Sequence, residues 1–385
     1  MQTFTYANPT RILFGKGRIA ALGKQIPAGA KVMVTYGGGS IKANGVLAQV
    51  RSALKGHTLV EFGGIEPNPA YETMMEAAAK ARSAGIDFLV AAGGGSVIDG
   101  TKFLAAALKY DGPDPWEIVT GKAKIAGAVP LGVVLTLPAT GSESNCGAVV
   151  TRKSIAAKLA FGHPALYPKF AILDPAATLS LPKRQVANGI ADAFVHVIEQ
   201  YLTTPVDAMV QDAYAEALLR VLIEVGPKTL ADPENYDHRA NLVWAANQAL
   251  NGLIAVGVPQ DWSTHMIGHE ITALYGLDHG RSLTVVLPAM MRVREAAKRA
   301  KLLQYAERVW HVTEGSEEVR IASAVSLTET FFRSLDMPVR FSEAGIGPEV
   351  VDKVKAALTA HGMTAIGEDG GVTPEVAEKV LKAAL

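Results

Sequence analysis

The stretch Val90-Ala91-Ala92-Gly93-Gly94-Gly95-Ser96-Val97-Ile98-Asp99 reads as a short apolar strand running through a glycine turn into a helix. An earlier stretch, Val34-Thr35-Tyr36-Gly37-Gly38-Gly39-Ser40, carries the same signal. Glycines at such a turn let the backbone approach a ligand, and the free amides at a helix start hold phosphate. One such loop is as readily a tight strand-to-helix turn; two in one half favour a nucleotide. Neither is G-x-G-x-x-G or G-x-x-x-x-G-K-S/T, so the ordinary Rossmann and P-loop patterns are absent.

Outward from these loops, strand-like runs recur at 11–14, 31–35, 58–62, 88–92, 132–136 and 170–173, with a helical pattern over Pro69–Ala84 between them. This alternation predicts a parallel sheet wound in βαβ units. After Asp174-Pro175 the pattern changes to helices at 184–201, 208–223, 240–254, 262–275, 298–312 and 319–332. Two domains are therefore expected, an α/β domain at 1–178 and an all-α domain at 179–385, and clefts where domains meet are favoured ligand sites. Residues 344–371 are glycine-rich, weakly patterned and without a functional reading.

Composition narrows the partners. Lys plus Arg and Asp plus Glu both number 37, so no global field draws nucleic acid or an anionic membrane. The most apolar stretch, Ala126–Leu137, is broken by Gly127, Pro130 and Gly132 and is too short to span a bilayer. The opening residues lack the pattern of a secretory signal, and the single cysteine, Cys146, excludes an intramolecular disulfide; together they lead us to expect a cytoplasmic protein with a small-molecule partner.

Chemistry concentrates in two further places. The segment Thr136-Leu137-Pro138-Ala139-Thr140-Gly141-Ser142-Glu143 follows an apolar strand with hydroxyl groups able to bond a ribose or a carboxamide. Asp192 and His196 lie four apart on one helix, His265 and His269 repeat the spacing on another, and His279 follows the Gly276 turn. A lone Asp-x-x-x-His is usually a surface pair, but three histidines within fifteen residues point to a divalent metal. Glu270 follows the second histidine of His265-Met266-Ile267-Gly268-His269, so the H-E-x-x-H metalloprotease pattern is absent.

Taken together, Gly93–Asp99, Thr140-Gly141-Ser142-Glu143, Asp192/His196 and His265/His269/His279 resemble the iron-containing alcohol dehydrogenase family over essentially the whole chain. Thr10–Gly17, Phe62–Pro69 and Pro259–Trp262 are especially similar to its bacterial NADPH-dependent aldehyde reductase and butanol dehydrogenase branch. The resemblance implies a dehydroquinate synthase-like fold whose helical domain binds the metal through Asp192, His196, His265 and His279, with His269 nearby but not a regular ligand. It also implies a pyrophosphate over Gly94, Gly95 and Ser96, a nicotinamide beside Thr136, Thr140 and Ser142, and a loop fixed by Asp99. Similarity to the branch implies zinc over iron, and relatives imply a homodimer.

Family members that prefer NAD place an acidic residue where this chain has Gly38. With Gly37, Gly39, Ser40 and Lys42 around it, and Lys158 added by similarity, a 2′-phosphate meets donors and no like charge, so NADP(H) is the expected cofactor. The expected reaction is hydride transfer between nicotinamide C4 and a small aldehyde or alcohol on the metal, with His269 a candidate for the proton. A polyol dehydrogenase of the same family and a non-catalytic metal- or nucleotide-binding module are the competing readings. A dehydroquinate synthase-type lyase is disfavoured, because Gly189–Glu199 and Gln260–His279 contain no Lys or Arg to bind a phosphorylated substrate.

Overall fold

Apolar runs bounded by glycine and proline become strands, the central ones buried along nearly their whole length. In the computed structural model, which describes residues 1–155 and 157–385, six of them form one parallel sheet. They are β1 (Arg11–Phe14), β2 (Lys31–Tyr36), β3 (Thr58–Phe62), β4 (Phe88–Gly93), β5 (Leu131–Leu135) and, after an antiparallel hairpin of β6 (Gly147–Arg152) and β7 (Ala157–Gly162), β8 (Phe170–Leu173). The spatial order is β1-β8-β5-β4-β2-β3. The hairpin was not expected from the pattern of the sequence.

Helices α1 (Ser40–Ala43), α2 (Val46–Ala53), α3 (Tyr71–Ala84), α4 (Gly95–Ala107) and α5 (Trp116–Val119) complete the crossovers. One apolar cluster joins Met33, Leu89, Ala91 and Val133 to α3 and α4; a second joins Val32, Val34, Val90 and Ile172 to α2. The sheet is thus covered on both faces, as an all-parallel sheet requires. From β2 the chain steps to β3 on one side and then to β4 on the other. In a doubly wound sheet the crevice at the carboxyl ends of such a reversal is the ligand site, and both glycine loops lie at those ends.

The remaining helices are α6 (Lys183–Tyr201), α7 (Met209–Ala231), α8 (Tyr236–Ala249), α9 (Ser263–Tyr275), α10 (His279–Val293), α11 (Glu295–Arg308), α12 (Glu317–Ser334), α13 (Val350–Ala360) and α14 (Pro374–Ala383). The sequence pattern had not revealed α10, because Pro288 inside it argues against a helix. The chain divides into two compact units: Ala7–Leu181 with Glu234–Asn247, and Met1–Tyr6 with Pro182–Pro233 and Gln248–Leu385. Most of α8 therefore belongs with the α/β unit. Val243 joins the apolar core there, Trp244 packs edge-on to Phe14 at 5.8 Å, and Asn247 donates to Glu143 Oε1 and Ser144 Oγ, both at 2.8 Å.

In the helical unit, α6 is buried continuously from Gly189 to Tyr201, so it forms the centre against which α7 and α10 pack. Gly280 sets the entry of α10: a Cβ there would lie 2.6 Å from Asn188 O, so only glycine allows this approach to α6. Asp278, just before α10, accepts from Arg184 Nε at 2.6 Å and Asn188 Nδ2 at 2.8 Å. This latch carries His279 to the face of α6 that bears Asp192.

Candidate active site

Asp192 Oδ1 is the hub of the histidine cluster. It lies 3.6 Å from His196 Nε2, 3.5 Å from His265 Nε2 and 3.7 Å from His279 Nε2. An ion bound tetrahedrally at about 2.1 Å would hold its donors roughly 3.4 Å apart, so these separations suit one metal. Donor atoms of Asp192, His265 and His279 lie within 4.8 Å of one another, and His196 joins through the shared carboxylate oxygen and through its ring, stacked on His265 at 4.6 Å. Asp192 Oδ1 and His265 Nε2 are buried without a hydrogen-bond partner, an arrangement that is costly unless a cation satisfies them. The residues therefore fit a divalent metal. The His279 side chain is 24% exposed against 6–8% for the other three, which marks the open side of the cluster.

Electrostatics support the same grouping. Burial opposes ionisation of Asp192, but His196, His265 and His279 together hold its carboxyl well below the usual range. Burial pushes His196 down to about 4, so it is neutral and ready to ligate. Burial also disfavours charge on His265, yet Glu199 and Asp192 outweigh it and raise it to about 9. The imidazolium between two carboxylates is the charge that a metal would replace, releasing the proton.

Glu199 escaped the sequence reading. Its Oε2 is bonded to His265 Nδ1, while Oε1 accepts from Thr264 N at 2.5 Å and His265 N at 3.3 Å. One carboxylate thus caps the start of α9 and turns Nε2 of His265 toward Asp192. The spacing Asp192, His196, Glu199 places all three on one helical face and was the available signal. His269 is buried, with its ring 4.9 Å from that of His279 and 6.2 Å from that of His265. Arg281 is committed to Asp336 O at 3.1 Å.

In the α/β unit the second glycine loop and the segment after β5 lock together. A Cβ on Gly95 would come 2.5 Å from Thr140 Cγ2, and Thr140 Oγ1 accepts from Ser142 N at 3.2 Å. Thr136 N bonds Gly93 O at 3.0 Å, and Ser96 Oγ accepts from Asn68 N at 3.2 Å. The Asp99 carboxylate reaches the segment after β5: its Oδ1 accepts from Ser142 Oγ at 2.6 Å and its Oδ2 from Val149 N at 2.9 Å.

Lys102, also missed in the sequence, completes this clamp. It is fully buried, and Nζ donates to Ser142 Oγ at 2.8 Å, Asn145 Oδ1 at 3.0 Å and Gly147 O at 2.7 Å. Burial pushes its ammonium down to about 8 against the opposing pull of Asp99, Cys146 and Glu143. The Ser142 hydroxyl is engaged on both sides. A lysine inside the apolar run of α4 was the overlooked signal.

The first glycine loop is open. Gly37, Gly38, Gly39 and Lys42 line a cleft of about 550 Å³ with Tyr36, Glu61, Gly63, Gly64 and Lys80. Lys42 Nζ stands 5.6 Å from the centre of the Tyr36 ring. Glu61 is paired with Arg51 at 2.6 Å, which offsets its charge. Ser40 is exposed at the start of the four-residue α1. Lys158 lies elsewhere, opposite Thr151 in the β6–β7 hairpin, and its charge acts on Asp99.

A parallel sheet with glycine loops at its reversal, together with a helical unit bearing an Asp–His₃ cluster, defines a metal- and dinucleotide-binding fold. The chain belongs to the iron-containing alcohol dehydrogenase family: the family's model, iron-containing alcohol dehydrogenase, matches residues 9–175 and its C-terminal model matches 186–381. It is 56% identical over all of its length and all of the length of the NADPH-dependent aldehyde reductase YqhD of Escherichia coli (strain K12). The crystal structure of that E. coli K-12 protein superposes with a TM-score of 0.98, covering 100% of this chain and 99% of that one. A probable NADH-dependent butanol dehydrogenase of Bacillus subtilis (strain 168) is 40% identical over the full length of both.

Family membership corrects the expectation of zinc, since the matching family is defined as iron-containing. Three imidazoles and a carboxylate accept either ion, so the donor set could not make that choice. Among the described residues no helix is long and apolar enough to cross a membrane.

Proposed function

We infer that this protein is a metal-dependent, NADP(H)-linked aldehyde reductase acting on small aldehydes, with alcohol oxidation as the reverse reaction. The convergence of three imidazole nitrogens on Asp192 Oδ1 carries the reading. Asp192, His196, His265 and His279 are assigned as the metal ligands, with Glu199 orienting His265. When bound, the metal supplies Lewis-acid polarisation of the carbonyl and NADPH supplies the hydride.

The chain's own residues do the rest. Gly94, Gly95 and Ser96 present the start of α4 to the pyrophosphate, and the Asp99–Lys102 clamp holds Thr136, Thr140 and Ser142 in place for the nicotinamide. Gly37, Gly38, Gly39, Ser40 and Lys42 receive the adenosine ribose and its 2′-phosphate, and Lys158 adds positive charge near Asp99. His269 is assigned to hand over the proton that reduction of the carbonyl oxygen requires. Nucleotide binding falls to residues 1–178 and metal and substrate binding to 179–385. A homodimer in the cytoplasm completes the proposal, in keeping with the single cysteine and with the family resemblance.

The test is NADPH and NADH oxidation with butanal, using protein stripped of metal and reloaded with ferrous iron. Metal-restored turnover that favours NADPH is the expected result. Absence of turnover with both cofactors, despite metal uptake and an intact fold, would move the search to another reaction on this fold.

A further inference from the structure

Five residues other than glycine hold a positive φ among those described: Asn68, Asp207, Trp262, His311 and Asp336. Four belong to the residue types that tolerate the left-handed region, and Trp262 is the exception, at φ 60 and ψ 4. Such an outlier persists only where the surroundings over-determine it, and it gathers at functional sites.

The surroundings of Trp262 do over-determine it. Asp261 N donates to Glu199 O at 2.9 Å, and Asp261 Oδ1 accepts from Ser263 N at 2.9 Å, so the turn is pinned on both sides of the tryptophan. Lys298 Nζ bonds Asp261 Oδ2 at 2.8 Å and is also paired with Glu368, which itself accepts from Thr204 N at 3.1 Å. Lys298 is almost fully buried, and its two carboxylate partners compensate its charge. Glu368 sits in the glycine-rich segment that had no functional reading. Arg294 ties that segment down through Gly371 O at 3.1 Å and Asp369 at 2.5 Å.

The effect is to stand the Trp262 indole beside the histidine cluster. Its ring lies 5.5 Å from that of His265 and 6.1 Å from that of His196, nearly perpendicular to both, and the side chain stays partly exposed. Its Nε1 donates to Gln260 Oε1 at 3.1 Å, which fixes the ring in its plane. We propose that Trp262 is the apolar wall that limits the size of the aldehyde's carbon chain, and that the Asp261–Lys298–Glu368 clasp holds it there. The proposal rests on the ligand set assigned above. An apolar wall selects by volume: it admits a short unbranched chain beside the histidines and collides with branching near the carbonyl.

The experiment compares wild type with Trp262→Ala, Trp262→Gly and Trp262→Phe, each loaded with ferrous iron. It measures kcat/KM for propanal and for 2-ethylbutanal, metal content, and melting temperature. The ratio favouring 2-ethylbutanal should rise about tenfold or more in the alanine and glycine variants and by less in the phenylalanine variant, with metal content unchanged. Trp262→Gly should melt above Trp262→Ala, because glycine adopts this backbone freely. Glu368→Gln should move the ratio in the same direction by a smaller factor. A ratio within twofold of wild type in the alanine and phenylalanine variants overturns the wall, and so does loss of metal from both, which would make the indole part of the metal's support. Failure of wild type to reduce either aldehyde would instead sink the functional reading on which the proposal rests.

Discussion

A methyl group placed on Gly38 or Gly39 meets nothing within 4 Å, whereas one on Gly94 lies 2.9 Å from Leu137 Cβ and one on Gly95 lies 2.5 Å from Thr140 Cγ2. The two Gly-Gly-Gly-Ser loops look alike in sequence, yet the first is bare toward an open cleft and the second is jammed against its neighbour. The second is glycine because the protein itself occupies the space. Gly38 and Gly39 are free of that constraint, so their lack of side chains makes sense only in terms of what enters the cleft. Like motifs at the two sides of a sheet reversal thus owe their glycines to internal packing at Gly94 and Gly95 and to an open cleft at Gly38 and Gly39.

This contrast breaks most forcibly at Lys102. Lys102→Met should cost about 3–5 kcal/mol in chemical denaturation, because it takes three buried hydrogen bonds from Ser142, Asn145 and Gly147 and the compensating charge from Asp99. The pH dependence carries the same mark. Lys102 titrates at about 8 in the fold, below its ordinary 10.5, so the unfolded chain binds more protons between those values. Its penalty on stability is therefore complete below pH 8 and is relieved as pH rises toward 10.5, by up to about 3 kcal/mol. Denaturation midpoints should show that rise in wild type and lose it in Lys102→Met.

A smaller effect is expected at the packed loop itself. Gly95→Ala forces Thr140 to move from the position where it accepts Ser142 N, and should destabilise by about 1–3 kcal/mol while raising KM for NADPH. Unchanged stability would mean that the two segments are looser than their contacts imply. At the open loop, Gly38→Asp should leave stability within about 0.5 kcal/mol. It should nevertheless cut the preference for NADPH over NADH about tenfold, through repulsion of the 2′-phosphate. Steady-state kinetics with both cofactors checks this. A large loss of stability there would erase the distinction between the loops.

Much of this was legible in one dimension. The strand starts Arg11, Lys31, Thr58 and Phe170 fall where the apolar runs begin, and the histidine spacing marks the cluster. What escaped depends on contacts between distant segments. The helix at 236–249 carries only a weak amphipathic pattern, and only Val243, Trp244 and Asn247 reveal that it packs with the α/β unit. Pro288 concealed α10, although that helix positions His279. The Asp99 carboxylate finds its partners in Ser142 and Val149, 43 and 50 positions on.

Residue order alone determined that a parallel sheet precedes a helical half and which imidazoles share a helical face, because strand and helix periodicities act over a few residues. Tertiary structure decided which oxygen those imidazoles surround, which glycine loop is packed, and that Glu199, Lys102 and Glu368 are structural partners of the site. Such choices are made where buried polar groups must find partners, and those partners stand 40 to 70 positions away, as Lys102 does from Ser142, Glu199 from His265 and Lys298 from Glu368. The ion itself was chosen by neither, since the donor set suits iron and zinc alike and family membership supplied the correction.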